Sequence, residues 1–223
     1  MGPTLRQGPL SPFPRVCECA RRMIRGIKRS FVRTAAPLPA GSPELAVVIP
    51  IPQPVMRDIV NLQDDMFRSF ECDAPEALPH ITLKLGFAAV TAGLFGQWLD
   101  LLASSTGEFE VNLSGVGTFD EGIAFLKVEP NAALEALRQQ VLSELRADHD
   151  IAPLPIELSG YRLHVTLASG MSRRELKRLL AVYERLPLAY QFKAKHFQLL
   201  SYTKSGWIVL KECALRSPIP AAT

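Results

Sequence analysis

The tetrapeptide His-x-Thr-Leu occurs twice, as His80-Ile81-Thr82-Leu83 and His164-Val165-Thr166-Leu167, each time at the same place in a repeated order of elements. That repetition restricts the fold more than any other feature. Before the first copy, Met56, Ile59, Val60, Gln63, Met66 and Phe67 recur at helical spacing. After it come a helix over 92–103 and two strands, 109–119 and 123–128, joined by the turn Asp120-Glu121-Gly122. Before the second copy, a helix over 131–149 is N-capped by Asn131 and carries Leu134, Leu137, Val141, Leu142 and Leu145 on one face. After it, Ser172-x-x-Glu175 reads as a capping box opening a helix to about Leu186. A strand over 190–202, a turn at Thr203 to Gly206 and a strand over 207–215 complete the second half. The run Leu45-Ala46-Val47-Val48-Ile49 precedes everything as a buried strand. The expectation is an α+β fold of two similar lobes related by an approximate twofold, each setting one motif strand at a shared centre.

On a strand, residues i and i+2 share a face. His80 and Thr82 therefore project together while Ile81 and Leu83 point to the core, and His164 and Thr166 do the same over Val165 and Leu167. Two imidazoles facing one substrate divide proton work, since a pKa near ~6.5 lets one act as base and the other as acid around neutral pH. The two threonine hydroxyls can donate to non-bridging phosphate oxygens. The same parity puts Lys84 on the face of His80, and Arg162 on that of His164, as candidate phosphate contacts. Phe87, Tyr161, Tyr202 and Trp207 are candidates for stacking a base, with core packing the better reading for each. His149 reads as a solvated residue near a helix end, and His196 lies outside both motifs. No metal or other cofactor is expected, because no carboxylate cluster accompanies either motif.

Composition matters chiefly through its asymmetry. Hydrophobic content of 48% and charged content of 21% are ordinary for a folded chain. Residues 1–43, however, hold eight cations against Glu18 alone, a balance of +7; with a total of +3, the rest carries −4. This segment is also broken by seven prolines, which argues against packed structure over most of its length. Three readings stay open for it: a disordered leader, a basic helix over residues 16–34 that meets anionic surfaces, and an organelle transit peptide. Residues 44–216 are expected to form the folded domain and 217–223 a disordered tail. Cys17, Cys19, Cys72 and Cys213 lack metal-ligand spacing and read as reduced thiols. No apolar run approaches the ~18 to 20 residues that cross a bilayer, so no transmembrane segment is expected and a cytoplasmic location is the default.

The paired motifs and the lobe order resemble the two-histidine (2H) phosphoesterase superfamily, which includes the LigT-like RNA 2′,3′-cyclic phosphodiesterases, also called 2′-5′ RNA ligases. The resemblance covers about residues 44–215, including Val47-Val48-Ile49-Pro50-Ile51-Pro52 and Leu199-Leu200-Ser201-Tyr202. It implies a bilobal fold with antiparallel sheets lining a central cleft and helices outside. It implies His80 and His164 as the catalytic pair with Thr82 and Thr166 as phosphate donors, and Lys84, Arg162 and Tyr202 are added as substrate-binding candidates. The implied substrates are RNA 2′,3′-cyclic phosphate ends or small cyclic nucleotides, opened by hydrolysis without a metal, with ligation as a reverse activity. Two alternatives stand beside this: a 2′-5′ oligonucleotide or cyclic-dinucleotide phosphodiesterase, and a non-catalytic nucleotide- or RNA-binding module. Many relatives carry a basic residue just after the second motif; here Ala168-Ser169-Gly170 stands instead.

Overall fold

In the computed structural model, which describes residues 44–88 and 92–217, the opening β-branched run becomes β1 (Glu44–Pro50) at the interior of a sheet. Leu45, Val47 and Ile49 enter the main core, while Ala46 and Val48 form a smaller apolar cluster with Leu200 on the other face. Residues 1–43 lie outside the described residues, and with them the basic stretch 16–34, Cys17 and Cys19; so do residues 218–223 of the tail.

The other strands are β2 (His80–Ala88), β3 (Phe109–Phe119), β4 (Ile123–Val128), β5 (His164–Ala168), β6 (Ala189–Ala194), β7 (His196–Thr203) and β8 (Gly206–Ala214). They form two four-stranded antiparallel sheets, ordered β2-β1-β7-β8 and β5-β4-β3-β6. Each motif strand is the edge of its sheet, and the two edges meet. The helices are α1 (Val55–Ser69), α2 (Ala92–Ser105), α3 (Ala132–His149), the single turn α4 (Pro155–Leu158) and α5 (Arg173–Tyr183). The α+β architecture of two similar antiparallel sheets is thus present.

The lobes are nevertheless not the two halves of the sequence. The expected strand over 190–202 is broken at Lys195: β6 joins the second-motif sheet beside β3, and β7 joins the first-motif sheet beside β1. Helices cross over as well. Buried Ile59, Leu62 and Met66 mark the inner stripe of α1, which packs on β5 and β6, whereas α3 packs against β2 and β3. The twofold therefore relates interleaved units, with β1, β2 and β7 answering to β4, β5 and β3.

Local signals held where chemistry dictated them. Asn131 accepts from the Leu134 amide at 3.0 Å and opens α3. Ser172 accepts from the Glu175 amide at 3.2 Å, but the Glu175 carboxylate turns to Arg178 instead of closing the box. The β3–β4 turn needs Gly122: its φ is +86°, and an added β-carbon would stand 2.5 Å from the Met171 carbonyl oxygen. His149 is not a free solvated side chain, because its ring packs on Phe95 at 4.8 Å and near Trp98 at 6.1 Å. Among the described residues no helix is long and apolar enough to cross a membrane.

Candidate functional site

The motif strands present their side chains as period-two geometry requires. Ile81, Leu83, Val165 and Leu167 are buried, and His80, Thr82, His164 and Thr166 are half-buried on the opposite face. The seam between the sheets brings the two sets together. Tyr161, three residues before His164, donates its hydroxyl to the Thr82 carbonyl at 3.3 Å while its ring lies 6.3 Å from the His164 ring. From the other side, the Gln63 amide on α1 donates to the Thr166 carbonyl at 2.9 Å.

Both imidazoles are fixed in the same way. His80 Nδ1 lies 2.7 Å from the Leu78 carbonyl, and His164 Nδ1 lies 2.7 Å from the Arg162 carbonyl, each two residues back. A carbonyl only accepts, so Nδ1 carries the proton in both rings. Nε2 is left in each case to take or give a proton. Burial lowers the pKa of His80, its Leu78 bond opposes this, and the charge of His164 lowers it further. Burial lowers His164 as well, against its bond to Arg162. The two rings therefore feel each other, and a state with one proton between them is favoured over one with two.

Their surroundings differ. Beside His80 is a pocket of about 90 Å³, also lined by Leu78, Gln198, Leu200, Trp207 and Val209. Trp207 packs against Ala46, Val48 and Leu200, giving this side an apolar floor. His164 instead stands against an aromatic wall: Phe119 at 5.0 Å and Phe125 at 5.2 Å, themselves stacked at 4.2 Å. The Arg162 guanidinium covers Phe119 at 5.4 Å and is exposed.

Lys84 requires a correction. Thr82 pairs with Val48 and Lys84 with the adjacent Val47, so Leu83 is an extra residue on β2. This bulge resets the alternation, and Leu83 and Lys84 are both buried. Lys84, 1% exposed, donates to Glu157 at 2.9 Å rather than facing the cleft. Tyr202 shares the face of Gln198 and Leu200 but pairs with Glu44, at the far end of β1 from Pro50 and His80. Its ring meets Trp207 edge-on at 5.3 Å, so it reaches the pocket through that tryptophan. Of the other aromatic candidates, Phe87 belongs to the core.

Lys127 was missed by sequence reasoning. It pairs directly with His164 across β4 and β5, so it emerges on the same face, exposed. Its stem runs over Gly117, whose added β-carbon would lie 3.3 Å from Lys127 Cε. No local pattern marks it, because the pairing joins strands separated by α3. Arg138 and Glu157 were missed too, although Arg138 interrupts the apolar face of α3 and could have been flagged there. Among the described residues no group of three His, Cys, Asp or Glu side chains is placed to hold a metal.

A family model described as the 2′-5′ RNA ligase superfamily matches residues 57–206. Among solved structures, TT0787 of Thermus thermophilus aligns at 20% identity and a TM-score of 0.58, over 78% of this chain and 98% of that one. Apo LigT of E. coli aligns at 19% identity and a TM-score of 0.58, over 79% and 99%. LigT complexed with 3′-AMP gives 18% and 0.56, over 78% and 98%. No curated protein matches the chain. At such identities the structural likenesses establish the fold.

Proposed function

The chain belongs to the 2′-5′ RNA ligase superfamily, and on that premise we propose that it opens 2′,3′-cyclic phosphates, at RNA ends or in small nucleotides, by two-histidine acid–base catalysis. The observation that carries this reading is the matched pair of imidazoles, each locked by its own backbone carbonyl with Nε2 left over. One Nε2 takes a proton from water as its oxygen attacks phosphorus. The other gives a proton to the ribose oxygen as the P–O bond breaks, leaving a phosphomonoester and a free hydroxyl. Either histidine can fill either role. Thr82 and Thr166 donate to the non-bridging oxygens and hold phosphorus in line. The proposed reaction needs no metal.

The surroundings support a nucleotide substrate. The apolar lining by His80, with Trp207, offers a surface on which a base can lie, and the exposed Lys127 and Arg162 on the His164 side suit an anion. LigT has been crystallised with 3′-AMP, phosphate, NADP+ and ATP. A 2′-5′ oligonucleotide or cyclic-dinucleotide phosphodiesterase is the second reading. It is favoured by the continuation of the strand face of Gln198 and Leu200 to Tyr202, whose ring meets the pocket residue Trp207.

The test is to incubate the purified protein with 2′,3′-cyclic nucleotides and cyclic-ended RNA in EDTA, beside His80→Ala and His164→Ala. Turnover that survives EDTA and falls by roughly 10²- to 10⁴-fold in each variant is expected. Loss in EDTA would refute metal independence, and undiminished turnover in either variant would remove the two-histidine mechanism. Cleavage of 2′-5′ linkages but not cyclic ends selects the second reading.

A further inference from the structure

Beneath the cleft runs a charged network that the proposed chemistry does not use. Lys84, Arg138 and Glu157 are only 1%, 2% and 2% exposed. The Glu157 carboxylate accepts from Lys84 Nζ at 2.9 Å and from the Leu85 and Leu154 amides at 2.7 Å each. Its backbone carbonyl accepts from Arg138 Nη2 at 2.5 Å. The Arg138 guanidinium lies 4.3 Å from the centre of the Tyr161 ring, and the Tyr161 hydroxyl returns to the Thr82 carbonyl. The path therefore leaves β2 at residue 84 and re-enters it at residue 82, enclosing the segment that leads into the second motif. Burial raises the Tyr161 pKa, which keeps its hydroxyl protonated and able to donate.

A buried ion pair is a poor way to gain stability, since well-packed apolar side chains serve as well. What this one supplies is location. Its members come from β2, α3 and α4, and Tyr161 touches the first motif through a backbone bond and the second through its ring. Arg138 Nε is the one buried side-chain polar atom among the described residues without a hydrogen-bond partner. The guanidinium is thus held in place by the ring stack, the Glu157 carbonyl and the Glu135 carboxylate, which accepts from Nη1 at 3.3 Å, despite an incomplete set of acceptors.

We infer that Tyr161, backed by Arg138 and Glu157, is a positioning residue that sets the separation of the His80 and His164 rings across the seam. The inference rests on the reading of these histidines as an acid–base pair, because proton transfer at both ends of one phosphorus demands a fixed spacing.

The test uses the full chain. Tyr161→Phe keeps the ring on Arg138 and removes only the tether to Thr82. It is expected to lower kcat by about tenfold with KM within about twofold and an unchanged Tm, as loss of transition-state geometry alone requires. Arg138→Met should lower kcat similarly, with Arg138→Lys failing to rescue it because an ammonium does not stack as a planar fork does. A second readout needs no substrate. By NMR titration, His164→Gln raises the His80 pKa through loss of a neighbouring charge; in a Tyr161→Leu background the same replacement should move it less than half as far. Wild-type kcat in Tyr161→Phe, or undiminished coupling in Tyr161→Leu, overturns the inference. If the wild-type protein turns over no cyclic phosphate, the acid–base reading fails, and the NMR coupling still decides the role of Tyr161.

Discussion

Each motif imidazole takes its orientation from the carbonyl two residues before it, so the turn into the strand sets the tautomer without a partner carboxylate. Among the described residues no carboxylate raises either pKa, and burial lowers both below the ordinary 6.5. The active form holds one neutral and one protonated ring, so rate falls as pH rises through the upper of the two apparent values, which lies below 6.5. The kcat/KM profile of the free enzyme is accordingly expected to peak on the acid side of 6.5, measured with a cyclic nucleotide across the acidic to neutral range. A peak above that value would show that burial does not govern the two titrations. Lys127 acts through charge alone if it greets phosphate. Lys127→Ala should raise KM about three- to tenfold, leave kcat within about twofold, and flatten the salt dependence between about 50 and 200 mM. The histidine and threonine pairs were legible in the sequence because both members of each pair lie on one strand. Lys127 was not, because only sheet pairing puts it beside His164.

On the scale of elements, the bulge in β2 decides what the strand can offer. One extra residue at Leu83 turns Lys84 from the cleft to the interior, where Glu157 meets it. Burial holds the Lys84 pKa below the usual lysine range, with Glu157 opposing. Removing either charge strands the other, so Lys84→Met or Glu157→Gln alone should cost about 3–5 kcal/mol in urea melts. The double variant is expected to recover most of that loss; an additive double would show that the pair is not coupled. Parity counting placed Lys84 wrongly because it assumes an unbroken pleat, and a bulge leaves no mark in local propensity. The helix caps fared better, since Asn131 and Ser172 act on amides within one turn of themselves. The break at Lys195 had no such signature: β6 and β7 read as one apolar-alternating strand until their partners are known.

Across the whole molecule, one cluster of buried side chains runs from Leu45 to Leu215 and takes in both sheets. The lobes share that core, so they are expected to melt together in a single transition by calorimetry, with van't Hoff and calorimetric enthalpies equal. Seven prolines argue against packed structure over most of residues 1–43, so a chain of residues 44–217 should show the same Tm as the full sequence. Two separate transitions, or a marked fall in Tm on truncation, would show that the lobes or the basic segment contribute otherwise. The doubled architecture was readable from the repeated element order, but its interleaving was not, because strand order is fixed by long-range pairing. That interleaving has a consequence in time. β1 sits between β2 and β7, and its β7 partners lie 150 residues or more downstream. At about 5–20 residues per second, a ribosome needs roughly 8–30 s to deliver them. Until then β1 can pair only with β2 and its other edge stays open, so the earliest of the described strands to be made is among the last to be covered on both sides.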